Sequence, residues 1–180
     1  MRPQSKVFAL AVMLSATPVW AASAPEVAPV EITGTIHASA PYGSGRMSFL
    51  LLTVYTATLW TDAPSWSMDA PFALTLTYAM SFDGIDIVQR SDEQMRIVDP
   101  ALSDAEMKTY DAAMTAVFPA VAKGDEITAL YVPGQPVRVF KNGMPTGTLP
   151  SGKFAADFFG IWLSPKTSES SLRKALLKLP

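Results

Sequence analysis

The order of the predicted elements places the chain in the α+β class. Strand patterns come first, two helical patterns follow in the middle of the chain, and a hairpin precedes two final helical patterns. This order lacks the regular alternation of strand and helix that builds a doubly wound parallel sheet. We therefore expect a largely antiparallel sheet with the helices layered on one side.

The first residues, 1–21, read as a secretory signal peptide. Two cations precede a mostly apolar run at residues 7–19, which is too short to span a bilayer comfortably, and residues 19–21 fit a small-x-small cleavage pattern. Cleavage there predicts a periplasmic or secreted chain with a flexible leader over residues 22–29 and one domain over residues 30–180. An uncleaved membrane anchor is the alternative interpretation.

Residues 30–78 carry three strand patterns. Val30 to Ile36 alternates apolar and polar residues at several positions and predicts a first strand. A run of fourteen residues without a charge extends from Met47 to Trp60. It predicts one long central strand covered on both faces, because a half-exposed strand would alternate apolar with polar residues. Phe72 to Tyr78 predicts a third strand.

Helical spacing follows. An apolar stripe at 3-4-3 spacing predicts a helix from about Gly84 to Val98, which Pro100 ends. Ser103 and Glu106 form a capping box that opens a second helix, and Pro119 ends that one.

The last third of the chain predicts a hairpin and two helices. Asn142-Gly143 is a strong indication of a two-residue hairpin turn, because a type I′ turn needs positive φ at both positions. The predicted elements are strands at 126–132, 136–141 and 144–149 and helices around 154–162 and from about 168 onward.

The composition argues against several kinds of site. The chain has a net charge of −2, no Cys, and a single His, His37, in a polar loop. The common zinc sites lack their ligands in such a chain, so we expect no metal. We also expect no cofactor, since no phosphate loop or dinucleotide fingerprint is present. The scattered Lys and Arg residues of a mildly acidic chain give no electrostatic footprint for nucleic acid.

Candidate binding residues lie in and around the long apolar run. Arg46 follows a Gly-rich turn, Thr53 and Tyr55 lie within the run, and Tyr78 and Arg90 follow it along the chain. A guanidinium at the mouth of an apolar cleft is a natural anchor for a carboxylate or an oxyanion. The alternative is that these are ordinary residues of strands and of a solvent-facing helix edge.

Several segments together resemble the chalcone isomerase-like family, particularly its secreted bacterial branch. The segments are GSGR at 43–46, VYTATLW at 54–60, PFAL at 71–74, QRS at 89–91, QM at 94–95, KGD at 123–125, YVPG at 131–134, VFKNG at 139–143 and FFGIWLSP at 158–165. Their order and spacing carry the resemblance, which covers about residues 30–178.

The resemblance implies an open-faced sandwich, in which a long antiparallel sheet is covered by a helical layer with a ligand cleft between them. The family contains isomerases that close a flavanone ring and non-catalytic members that bind fatty acids. Both kinds use an arginine near the start of the long strand, and Arg46 looks like its counterpart. The plant isomerases have a threonine about where Tyr55 falls, so Tyr55 looks more like the fatty-acid-binding members. Tyr78 and Tyr110 are the candidates for the isomerases' other catalytic tyrosine.

Three functions stay open at this point. The first is a periplasmic or secreted protein in which Arg46 and Tyr55 anchor a small apolar or amphipathic ligand, such as a fatty acid, another amphipathic acid or a porphyrin. The second is an intramolecular lyase or isomerase of the chalcone isomerase type, with Arg46 and Tyr55 as catalytic residues. The third is a structural or partner-binding protein, in which Trp60, Trp66 and Trp162 could belong to an interface if they are exposed. We expect no stable membrane insertion after signal cleavage, and the oligomeric state stays open.

Overall fold

The computed structural model describes residues 27–180, which form a six-stranded antiparallel sheet and four α-helices. The strands are β1 (Gly43–Phe49), β2 (Leu52–Trp60), β3 (Phe72–Tyr78), β4 (Glu126–Tyr131), β5 (Val137–Lys141) and β6 (Met144–Leu149). The helices are α1 (Gly84–Val98), α2 (Asp104–Thr115), α3 (Lys153–Leu163) and α4 (Ser170–Leu177). The predicted signal peptide and residues 22–26 of the predicted leader lie outside the described residues.

The sheet is a meander in which each strand pairs with its neighbours in sequence, in the order β1 to β6. Successive side chains of a strand point to opposite faces, so one face of the central strands receives alternate apolar residues. The helical layer packs on this face: Phe159 of α3 meets Phe72 of β3 edge-on, with ring centroids 4.7 Å apart. The predicted α+β class and the open-faced sandwich are confirmed. Within residues 27–180, no helix combines the length and apolarity needed to cross a bilayer.

Local sequence explains where α1 and α2 lie. α1 begins and ends as predicted, and Ser91 within its stripe is buried and donates its hydroxyl proton to the carbonyl of Ile87 at 2.8 Å. The predicted capping box opens α2: Ser103 Oγ accepts from the Glu106 amide at 3.3 Å, and the Glu106 carboxylate accepts from the Ser103 amide at 2.9 Å. These bonds satisfy amides that the first turn leaves without intrahelical partners.

The long apolar run is a β-hairpin, so the prediction of one strand covered on both faces is wrong. Leu50 and Leu51 form a two-residue turn between β1 and β2, with φ of 47° and 68°. The side chains around the turn, from Phe49 to Leu52, are exposed. Leucine disfavours positive φ, because its Cβ crowds the backbone in that conformation. The sequence therefore contains no turn residue that indicates the break.

The segment Val30–Ile36 is also not a strand. Its first residues, Val30–Ile32, form a short 3-10 helix, and the Ile36 amide then donates to the Ile32 carbonyl at 2.8 Å. This turn places the two isoleucines together, and both are buried against Trp60 in a second core. Trp60 directly follows Leu59 of the main core, so the second core lies on the other face of the sheet.

The Gly-rich segment before Arg46 belongs to β1 and not to a turn. A Cβ on Gly43 would lie 2.1 Å from the backbone oxygen of Leu176, and a Cβ on Gly45 would lie 2.8 Å from Leu172 Cδ1. Both contacts are with α4, which crosses β1 here. These two glycines therefore allow close packing of a helix on the edge strand.

Candidate ligand-binding cavity

A cavity of about 390 Å³ lies between the sheet and the helices α1 and α3. Its apolar lining residues are Met47, Phe49, Val54, Leu74, Leu76, Phe82, Ile87, Phe118, Ile127, Ala129, Phe158, Ile161 and Trp162. Its polar or charged lining residues are Tyr55, Tyr78, Asp86, Arg90, Ser91, Gln94 and Glu169. A concave, mostly apolar site of this volume with a few polar groups is typical of a small-molecule site.

A β-bulge shapes the wall of the cavity on β2. Met47 pairs with Tyr55, but the next residue of β1, Ser48, pairs with Thr53, so Val54 is an extra residue on β2. A bulge bends its strand and re-aims the side chains beside it. Both Val54 and Tyr55 line the cavity, although they are adjacent in sequence.

The hydroxyl of Tyr55 is held by a tryptophan across the cavity. Trp162 Nε1 of α3 donates to the Tyr55 oxygen at 2.9 Å. Because this bond uses a lone pair of the oxygen, the phenolic proton is left to donate, and none of residues 27–180 accepts it. Burial raises the pKa of Tyr55 to about 12, and the hydrogen bond from Trp162 opposes that shift. At neutral pH Tyr55 is therefore an uncharged donor.

A second phenol stands beside the first. Tyr78 pairs with Tyr55 across β2 and β3, and the two rings meet edge-on with centroids 5.9 Å apart. Burial raises the pKa of Tyr78 above its ordinary value. The sheet thus presents two neutral phenols to the cavity.

One cation stands at the mouth of the cavity. Among the described residues that line the cavity, Arg90 of α1 is the one that carries a positive charge; Asp86 and Glu169 carry negative charges. Arg90 Nη1 lies 2.9 Å from Glu93 Oε2, and the two side chains are 55% and 64% exposed. An exposed pair of this kind contributes little to stability, so Arg90 can exchange Glu93 for a ligand at small cost.

A buried amide lies farther along α1. Gln94 is 5% exposed and lines the cavity, and its side-chain oxygen accepts a hydrogen bond from the Ser168 hydroxyl. This contact ties α1 to the segment that leads into α4.

The structure brings three of the five predicted site residues together and leaves two apart. Tyr55, Tyr78 and Arg90 line the cavity, whereas Thr53 does not. Arg46 is exposed on β1, outside the cavity lining. It directly precedes Met47, which lines the cavity, so its side chain points to the opposite face of the sheet. The prediction that Arg46 lies at the mouth of the cleft is therefore wrong in position. Its role in binding stays a prediction.

Other predicted candidates lie away from the cavity. Tyr110 packs against Phe154 between α2 and α3. His37 is 77% exposed, with Nδ1 3.4 Å from Asp62. Within residues 27–180, no group of three or more metal-ligating side chains occurs.

The three tryptophans that could form an interface if exposed are buried or half-buried. Trp60 is 0% exposed and Trp162 is 6% exposed, while Trp66 is half-buried and packs edge-on against Phe72. The role of Trp162 as the partner of Tyr55 is a feature that sequence reasoning missed. In the sequence Trp162 is only the last residue of the helix predicted around 154–162, and no local pattern predicts its hydrogen bond.

The fold and the site together define a class of protein: an open antiparallel sheet with a small-molecule cavity beneath a helical layer. The chain belongs to the chalcone isomerase-like family, because the model of that family matches residues 41–178. Among solved structures it is similar to a fatty-acid-binding protein of Arabidopsis thaliana, with 13% identity, a TM-score of 0.58, and coverage of 77% of this chain and 86% of that one. At this identity the similarity shows the fold alone. No curated protein sequence matches this chain significantly.

Proposed function

We propose that this protein binds a fatty-acid-like ligand in its cavity and does not convert it. One observation carries the proposal: the apolar cavity includes a neutral hydrogen-bond donor, Tyr55, and one cation, Arg90, at its mouth. A single-chain amphipathic acid has the matching distribution of polar and apolar surface. The fold of the fatty-acid-binding protein from A. thaliana supports the same class of ligand.

The proposed arrangement places the head group at the mouth and the hydrocarbon chain inside. The free proton of the Tyr55 hydroxyl is donated to a carboxylate oxygen, and the Arg90 guanidinium supplies the opposite charge. Hydrogen bonds that involve an ionised group are stronger than neutral ones, so Tyr55 and Arg90 together favour an acid. Asp86 and Glu169 also line the cavity and oppose this preference, so the charge of Arg90 has to outweigh theirs at the head group. The hydrocarbon chain is held by the apolar wall, and its burial supplies most of the affinity.

The residue at position 55 favours binding over catalysis. The plant isomerases have a threonine about where Tyr55 falls, and the Tyr55 ring, which lines the cavity, fills space that a flavonoid would need. Burial raises the pKa of Tyr55 to about 12, so at neutral pH its phenol is a hydrogen-bond donor suited to a bound carboxylate oxygen.

The test compares an acid with the alcohol of the same chain length. Hexadecanoate and hexadecanol are titrated into wild type and Arg90→Gln by calorimetry. We expect Arg90→Gln to weaken hexadecanoate binding about tenfold and to leave hexadecanol binding unchanged, because only the acid uses the charge. Arg96→Gln is the matched control: Arg96 is on the same helix, but it pairs with Asp92 at 2.9 Å and does not line the cavity.

Arg46→Gln tests the earlier assignment of the anchor. Because Arg46 points away from the cavity, we expect it to bind hexadecanoate as wild type does. A loss in Arg46→Gln with no loss in Arg90→Gln contradicts the proposed anchor. Absence of binding of both compounds to wild type overturns the proposed function, and turnover of an enone that is lost in Tyr55→Phe favours the isomerase instead.

We also propose that the protein acts in the periplasm or outside the cell, on the basis of the signal-peptide pattern in residues 1–21. Mass spectrometry of the protein from its own cells tests this. The expected chain begins at residue 22, and an intact chain found in the cytoplasm contradicts it.

A further inference from the structure

The tip of the β1–β2 hairpin, residues 49–52, is an exposed apolar surface. Phe49, Leu50, Leu51 and Leu52 are 63%, 80%, 101% and 61% exposed. Four consecutive large apolar residues at the end of a hairpin are unfavourable in water, and turns of this kind usually carry polar residues and glycine.

The backbone of this tip makes the choice of residues more unusual. Leu50 and Leu51 have φ of 47° and 68°. The other two-residue hairpin turn, between β5 and β6, has nearly the same φ values, 50° and 79°, and uses Asn142 and Gly143. Both turns therefore require positive φ at two successive residues. The second turn meets this requirement with the favoured pair Asn-Gly, and the first meets it with two leucines. Local folding does not explain the leucines, so a contact made by their side chains is the simplest reason for them.

The tip lies at the mouth of the cavity. Phe49 is both exposed and part of the cavity lining. The Ala79 amide donates to the Val54 carbonyl at 2.9 Å, which places the end of β3 beside the hairpin. Two further exposed apolar residues, Met80 and Ile85, follow at the start of the connection to α1 and in its first turn. Phe49 therefore joins the apolar surface of the tip to the cavity, and Met80 and Ile85 add exposed apolar residues on the neighbouring segment.

We infer that the hairpin tip inserts into the surface of a phospholipid bilayer and brings the cavity mouth to it. An apolar ligand that is nearly insoluble in water must come from an apolar phase, and the tip is continuous with the cavity that would receive it. No charged residue occurs from Met47 to Thr61, so the segment can enter the interfacial region without burying a charge. Transfer of the ligand from the bilayer to the cavity rests on the proposed function, whereas insertion of the tip into the bilayer does not.

The test is flotation with vesicles of pure phosphatidylcholine, in the absence of added ligand. It uses protein purified from its own cells, and every variant carries the same N-terminus. Leu50→Asn/Leu51→Gly gives the first hairpin the turn residues of the second, so the variant is expected to fold with a Tm no lower than that of wild type. We expect vesicle binding to fall about tenfold for each leucine removed.

The control is Met144→Ser. Met144 is 70% exposed beside the β5–β6 turn, at the opposite edge of the sheet. The Met144→Ser variant should float with the vesicles as wild type does. Binding should also change little when the salt concentration is raised, because the tip is uncharged.

Two outcomes overturn the inference: wild type that does not float, and a double variant that floats as well as wild type. Failure of the proposed function is distinguishable from both. Hexadecanoate affinity in vesicle-free solution should be unchanged in the double variant. A protein that floats through its tip but binds neither hexadecanoate nor hexadecanol retains docking and loses the proposed ligand.

Discussion

Removing the Tyr55 hydroxyl tests whether the contact between Tyr55 and Trp162 organises the cavity. Tyr55→Phe keeps the ring and deletes one oxygen, so the indole N–H of Trp162 loses the acceptor that lies 2.9 Å away. Trp162 is 6% exposed. A buried donor without a partner costs about 1–3 kcal/mol. Since the cavity can admit water to the vacated position, we expect the lower end, about 1 kcal/mol of the free energy of unfolding.

A double-mutant cycle isolates this hydrogen bond from other effects. Trp162→Phe also removes ring volume, so its own cost exceeds that of the bond. In Tyr55→Phe/Trp162→Phe both polar partners are absent, and the double variant should lose about 1 kcal/mol less than the sum of the single variants. Urea unfolding of ligand-free protein measures all four free energies.

Tyr110→Phe is the matched control, because the Tyr110 hydroxyl has no hydrogen-bond partner among residues 27–180. Its free energy of unfolding should stay within about 0.5 kcal/mol of wild type. Single-variant costs that add to the cost of the double variant within about 0.3 kcal/mol refute the reasoning, since no coupling then exists between the two side chains.

Three further predictions concern stability. Gly43→Ala should lower the free energy of unfolding in urea by about 3 kcal/mol, because its Cβ would lie 2.1 Å from the backbone of α4. Gly34→Ala is the control and should be near neutral, because a Cβ there meets nothing within 4 Å. Equal losses for the two variants contradict the packing argument. Leu50→Asn/Leu51→Gly should raise the free energy of unfolding by about 1–2 kcal/mol, because both turn positions have positive φ. A urea midpoint below that of wild type contradicts this expectation. Hydrogen bonds hold the pKa of Asp125 at about 2, below its ordinary 3.8, so its stabilisation is present above about pH 4 and is lost as the pH falls towards 2. The stability difference between wild type and Asp125→Asn should shrink over that range by about 1 kcal/mol after allowance for solvent screening, and a constant difference contradicts the assignment.

The elements that sequence predicted well are those whose causes are local. Ser103 and Glu106 satisfy each other's backbone amides, and Asn142-Gly143 meets a backbone requirement, so a few adjacent residues suffice. The β1–β2 hairpin has no such cause. Leu50 and Leu51 are poor turn residues, and the turn exists because the strands on either side pair with each other.

The site was predicted in part for a related reason. Tyr55 and Tyr78 are polar aromatic residues within apolar strands, which is a pattern visible in the sequence. The prediction for Arg46 fails because the Gly-rich segment before it reads as a turn, which hides the alternation of β1. Arg46 and Ser48 are polar, whereas Met47 and Phe49, which line the cavity, are apolar. Arg90 lies on a helix, and no residue pattern near it shows that this helix covers the cavity.

The extra residue in β2 makes the cavity sensitive to chain length as well as to side-chain identity. Val54 stands between the pairs Met47–Tyr55 and Ser48–Thr53, because β2 contains one residue more than β1 at this point. Deleting Val54 would restore regular pairing and remove one apolar side chain from the cavity wall, while Thr53 and Tyr55 kept their partners Ser48 and Met47. The hairpin would keep its strands while the chemistry of the cavity wall changed. In a lineage of related chains, a one-residue insertion or deletion at this point is thus a route to a different ligand that requires no change of fold.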